Sequence, residues 1–210
     1  MKSIFNKEAR HKSEALIDAV TSGNIESVKE LLAQDVDVNG KAMWRGMRGH
    51  APLAHAARDG RTDIMALLLE KGARVNQQAR YNLLEKLEAP WTAHACGGTA
   101  LHQAARMGKK EAAQMLLDHG AKIDAGDGDG ATPLMYAVGW IGINGDKDFS
   151  VVRLLVEKGA DLFRKNGENK TALDIARDVE PPDAALIAFF EAKMAEKTSP
   201  RAKHGASRKP

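Results

Sequence analysis

The stretch TALHQAARMGKKEAAQMLLDHGAKID, residues 99–124, contains two short helical patterns and a stop. Thr99 offers a hydroxyl to cap a helix that starts at Ala100. Ala113, Leu116 and Leu117 then recur at the spacing of one helix face. Gly120 ends that second helix, because glycine accepts the left-handed conformation at a helix C-terminus. Both halves of the stretch recur along the chain. The first half aligns without gaps with EALIDAV (14–20), APLAHAA (51–57), TPLMYAV (132–138) and TALDIAR (171–177), each with Leu third and Ala sixth. The second aligns with VKELLAQDVDVN (28–39), MALLLEKGARVN (65–76) and VRLLVEKGADLF (152–163).

The spacing sets the unit. The step from the anchor Leu to the turn residue is 19 in three copies (Leu16–Asp35, Leu53–Gly72, Leu101–Gly120) and 25 in one (Leu134–Gly159). From there to the next anchor is 14 twice (Gly120–Leu134, Gly159–Leu173), 18 for Asp35–Leu53 and 29 for Gly72–Leu101. The base period is 33, with excesses of 4, 15 and 6 residues at three joints. Thr132-Pro133 puts a hydroxyl at the N-cap and a proline in the first helical position, and Thr99 and Thr171 repeat the cap without the proline. The sixth-position alanines let neighbouring helices approach closely. One helix pair cannot hide its own apolar face, so the units must stack.

A 33-residue period with T-P-L-H-x-A-A followed by L-L-x-x-G-A resembles the ankyrin repeat family over residues 14 to about 196. The first repeat departs from the pattern with EALIDAV, and the second has Ala51 for Thr and Ala54 for His, as expected of units near the end of a stack. The resemblance implies an all-α solenoid of stacked helix–turn–helix units joined by hairpin loops. The repeats fall at about 14–39, 40–76, 77–124, 125–163 and 164–196. Segment 1–13 reads as a basic N-terminal piece. The last helix, roughly 183–196, brings Phe189 and Phe190 over the open end, and 197–210 reads as a disordered basic tail.

Charge supports that division. Residues 1–13 carry +3 and 197–210 carry +5, which leaves 14–196 at −5 within a total of +3. An acidic body argues against nucleic acid as its ligand. No apolar run approaches the roughly 20 residues of a membrane span, and the first residues hold no secretory apolar segment. One cysteine, Cys96, makes no intramolecular disulfide framework. These features lead to the expectation of a cytoplasmic monomer.

Catalytic motifs are missing: the chain has no HExxH, GxSxG or CxxC. AGDGDGA (125–131) lacks the acidic register and closing glutamate of a calcium loop and reads as a tight hairpin. His94, Cys96 and His102 lie close together, and metal or thiol chemistry there is the enzymatic alternative. The resemblance instead makes His102 the motif histidine that bonds back to the start of its own helix. A further alternative is tethering of the basic tail, with Ser199-Pro200-Arg201, to nucleic acid or membrane phosphates. The leading expectation is a non-catalytic module that binds a partner protein, without cofactor, metal or small-molecule substrate.

In the family, partner contacts come from the hairpin tips and the residues after the A-A pair. The resemblance thus implies Met47, Arg48, His50, Arg58 and Asp59 in repeat two, and Ala95, Cys96, Arg106 and Met107 in repeat three. In repeat four it implies Gly128, Asp129, Gly139 and Trp140, and in repeat five Glu168, Lys170, Arg177 and Asp178. All three tryptophans, Trp44, Trp91 and Trp140, fall in the departures MWRGMRGH (43–50), QQARYNLLEKLEAPWTAHACGG (77–98) and GWIGINGDKDF (139–149). Trp, Tyr and Arg dominate binding hot spots, so Trp44, Trp91 and Trp140 join the candidate surface.

Overall fold

The computed structural model of the chain describes residues 2–34, 36–44, 47–79, 98–144 and 148–198, with the backbone alone at 2–10, 42–44, 47–48 and 142–144. Its described helices are α1 (Lys2–Ser22), α2 (Ile25–Ala33), α3 (Pro52–Asp59), α4 (Thr62–Glu70), α5 (Ala100–Arg106), α6 (Lys110–Asp118), α7 (Pro133–Asn144), α8 (Ser150–Glu157), α9 (Ala172–Asp178) and α10 (Ala184–Thr198). They form two layers. The odd-numbered helices pack side by side in chain order, α1 on α3, α3 on α5, α5 on α7 and α7 on α9, and α2, α4, α6 and α8 stack behind them. α10 closes the stack against α9.

The recurring residues make the inner layer. The anchors Leu16, Leu53, Leu101, Leu134 and Leu173 are all buried, as are Ala19, Ala56, Ala104, Ala137 and Ala176. In the outer layer Leu68, Leu116 and Leu155 are fully buried. Their counterpart Leu31 is only half-buried, because no layer stands in front of the first repeat. Gly72, Gly120 and Gly159 end their helices at φ of 85°, 83° and 97°.

The N3 side chain closes the N-caps of α5, α7 and α9, each with different chemistry. His102 Nδ1 accepts the Thr99 N–H at 3.0 Å, Met135 Sδ accepts the Thr132 N–H at 3.4 Å, and Asp174 Oδ2 accepts the Thr171 N–H at 2.9 Å. The Thr171 hydroxyl completes the last of these by accepting the Asp174 N–H at 3.2 Å.

Between the helix pairs the hairpins are tied by a ladder absent from the motif. Asn39 Oδ1 accepts the Arg74 N–H at 2.7 Å, Asn76 Oδ1 accepts the Lys122 N–H at 2.8 Å, and Asp124 Oδ1 accepts the Asp161 N–H at 2.9 Å. Asn39 and Asn76 also donate Nδ2 to the Gly72 and Gly120 carbonyls at 3.2 and 3.0 Å. Asp124 has no donor to do the same. Phe163 takes this position in the fourth hairpin and is 44% exposed.

Several boundaries differ from the sequence expectation. α1 starts at Lys2, so the basic segment 1–13 is helical from there and continuous with the first repeat. α10 runs past 196 to Thr198, and Lys197 Nζ donates to the Ala160 carbonyl at 3.0 Å. The first hairpin is an antiparallel ribbon of β1 (Ala42–Trp44) and β2 (Met47–His50). The six-residue excess does not loop out after Val138: α7 continues through it to Asn144, 12 residues against 7 in α5 and α9. Phe190 is buried as expected of an end cap, and Phe189 is half-buried with Arg153 at 5.5 Å over its ring.

Candidate functional site

The inner helices and hairpins of the last three repeats enclose a groove of about 420 Å³. Its floor comes from α7 and α9: Met135, Gly139 and Trp140 from the first, Ile175 from the second, with Val179 just beyond it. Gly139 opens that floor. A Cβ built there meets no atom within 4 Å, and its φ lies outside the left-handed region. Only the missing side chain keeps the space clear. Arg106, from the end of α5, lies 4.9 Å over the Trp140 ring. The two sit 34 residues apart in the sequence but on adjacent inner helices, at or just beyond the matching ends of the repeat motif.

The opposite rim comes from the hairpins. Asp127 Oδ1 accepts the N–H groups of Asp129 and Ala131, each at 2.9 Å, and the Tyr136 hydroxyl donates to Oδ2 at 2.7 Å. Asn166 builds the same turn one repeat on, accepting the N–H groups of Glu168 and Lys170 at 3.0 Å each. The Gly167 N–H donates to the Asp129 carbonyl at 2.6 Å and joins the two turns. AGDGDGA is therefore a hairpin held by an Asp side chain. Lys170 Nζ lies 3.0 Å from Asp178 and 3.2 Å from Glu168, and these hydrogen bonds, Asp178 first, raise its pKa.

The structure thus brings Arg106, Gly139, Trp140, Glu168, Lys170 and Asp178 of the expected surface to one groove. Asp129 stands at its hairpin rim through its backbone bonds. Arg58 and Asp59 stand elsewhere on the inner face, paired to each other at 2.7 Å and half-buried. Met107 is the C-cap residue of α5, and Arg177 pairs with Glu191 at 2.7 Å. His50 is corrected: it is 1% exposed, an interior residue rather than a hairpin tip. The register shift between Ala42 and Met43 leaves Gly49 unpaired at a φ of 75°. That bulge breaks the side-to-side alternation of β2 and returns His50 to the core, edge-on to His55 at 6.0 Å.

Trp44, Met47 and Arg48 lie on the ribbon strands, where the backbone alone is described; Trp44 pairs with Met47 and Met43 with Arg48. Trp91 and Cys96, with His94 and Ala95, lie outside the described residues, as do Asp35 and 199–210. Both ring nitrogens of His102 are engaged, Nδ1 with Thr99 and Nε2 with the Ala131 carbonyl at 3.1 Å. Burial lowers its pKa, so it is a neutral interior imidazole. No group of three or more potential metal ligands occurs among the described residues, and no described helix is long and apolar enough to cross a membrane.

Sequence reasoning passed over Asp127, Tyr136, Asn166, Met135 and Ile175. The equal five-residue spans 127–131 and 166–170, each opened by Asp or Asn, were the available signal for the two turns.

Comparison with known proteins agrees with the architecture. The chain is 30% identical over 196 residues to the palmitoyltransferase AKR1 of Lachancea kluyveri, a match covering 82% of this chain and 25% of that protein. It is 29% identical over 163 residues to FPV031 of Fowlpox virus, named as an ankyrin repeat protein, covering 77% of this chain and 42% of the other. A Treponema pallidum protein named as ankyrin repeat-containing is 28% identical over 174 residues, covering 83% and 50%. The chain therefore spans half or less of each of these relatives. A family profile described as ankyrin repeats (3 copies) matches residues 2–79 and 80–166. With that profile covering most of the sequence and five helix pairs stacked at its period, the chain belongs to the ankyrin repeat family.

Proposed function

We propose that this chain is a non-catalytic binding module that holds a segment of a partner protein in the groove of its last three repeats. The observation that carries the reading is the groove floor at Gly139, open beside Trp140 and Ile175 where a helix interior ordinarily places a side chain. Glycine in a helix interior is destabilising by roughly 1 kcal/mol relative to alanine. Keeping the space clear therefore works against the helix, which is the expected sign of an occupant. The Arg106–Trp140 stack adds an aromatic and a guanidinium, the groups that anchor interfaces. By the family resemblance and residue type, Trp44, Met47 and Arg48 of the first ribbon, and Trp91 and Cys96 of the second insertion, are further candidate contacts. The ankyrin fold of the chain supports a protein partner, and the quarter of the palmitoyltransferase that it matches carries no activity over to it.

Gly139→Leu tests this. The side chain has room and the backbone no strain, so helicity should be unchanged and stability equal or slightly higher. Affinity capture is run with wild-type and variant side by side. A partner held by the wild-type chain and lost by Gly139→Leu supports the groove, and equal capture by both removes binding from it.

A further inference from the structure

The groove's charge selects its occupant. Three carboxylates and two cations line it: Asp127, Glu168 and Asp178 with Arg106 and Lys170. Lys170 is shared between Glu168 at 3.2 Å and Asp178 at 3.0 Å, which leaves that trio one negative charge in excess. Asp127 adds a second, its carboxylate accepting two backbone N–H groups and the Tyr136 hydroxyl. Arg106 stands on the other side, its face committed to the Trp140 ring. Between these rims runs an apolar floor that is open above Gly139. Residues 14–196 carry −5.

We infer that the segment bound in this groove carries a bulky apolar side chain flanked by lysine or arginine, the apolar group lying over Gly139 and the cation meeting the carboxylates of Asp127, Glu168 and Asp178. The inference rests on the groove being the binding surface, and it adds the chemistry of what binds. An acidic segment would place carboxylate against carboxylate on the hairpin rim. An apolar segment without charge would bury that rim and leave its negative excess uncompensated.

A displayed library of random peptides, panned on the full chain and then rebound to variants, tests both layers separately. Enriched sequences should place Leu, Ile, Phe or Trp beside Lys or Arg. Their affinity should drop at least about tenfold in Gly139→Leu. In the double variant Glu168→Gln, Asp178→Asn it should drop about three- to tenfold, with a weaker dependence on salt. Enriched peptides that are acidic or uncharged but still depend on Gly139 overturn the inference and leave the groove standing. Peptides bound equally well by Gly139→Leu, or no enrichment at all, overturn both.

Discussion

Two buried histidines make the fold sensitive to acid. His55 is fully buried, and its pKa falls from 6.5 to about 3 through burial first, then the charges of His50 and Arg58. His102 is lowered too, again by burial. Both are neutral in the folded chain, whereas the unfolded chain protonates them below about 6.5. Stability is therefore complete above that pH and falls as pH drops toward the folded-state values, for His55 down to about 3. His55 should contribute about 1.4 kcal/mol per pH unit within that window, and His102 acts in the same direction. Urea unfolding measured between neutral pH and pH 5 checks the slope, and His55→Leu should remove one histidine's share. Asp174 adds a further loss only in stronger acid: the Thr171 N–H and then its hydroxyl hold the carboxyl below its ordinary 3.8, so its contribution disappears as pH falls below that value. The motif identified His102 and its bond to Thr99, but His50 had the look of a hairpin-tip residue. Its burial follows from one bulge at Gly49, which shifts side-chain alternation without changing residue spacing.

Among the elements, the helices were largely legible and the joints were not. Thr caps, buried Leu and Ala anchors and turn glycines lie within single repeats, where sequence spacing and spatial spacing coincide. The ladder of Asn39, Asn76 and Asp124 joins residues 35, 46 and 37 apart, so it has no local pattern. Its third step is incomplete, because a carboxylate accepts the Asp161 N–H but cannot donate to the next carbonyl as Asn76 does to Gly120. Asp124→Asn should supply that bond and stabilise the chain by about 1 kcal/mol, read as a higher melting temperature. Asn76→Ala should destabilise by about 1–3 kcal/mol, since it strips a partner from both the Lys122 N–H and the Gly120 carbonyl. A melting temperature unchanged in both variants would remove the ladder from the account of stability. α7 teaches the same lesson: the departure at 139–149 shows in the sequence, but not that the helix runs on through it to Asn144.

Across the stack, each layer contacts mainly its neighbours, so an insertion is tolerated wherever its ends meet. The ends of 80–97 do meet: the Ala79 N–H donates to the Gly98 carbonyl at 2.9 Å. Deleting 81–95, the 15-residue excess that contains Trp91, should restore the 33-residue period and leave helicity intact. Stability should stay within about 1 kcal/mol, because Ala79 and Gly98 already meet and the closure entropy of a connection changes only logarithmically with its length. Circular dichroism and urea unfolding check this, and capture by the deleted chain tells whether Trp91 belongs to the binding surface. A large loss of stability would mean that the insertion is part of the core.

The five-fold recurrence, the anchor positions and the ends of most helices could be read from residue order, because each is a property of a segment short enough for the 3.6-residue helix to set its geometry. The groove could not be read in this way. Its floor at Gly139, its Arg106–Trp140 stack and its three carboxylates come from three repeats. They meet only once the layers have stacked.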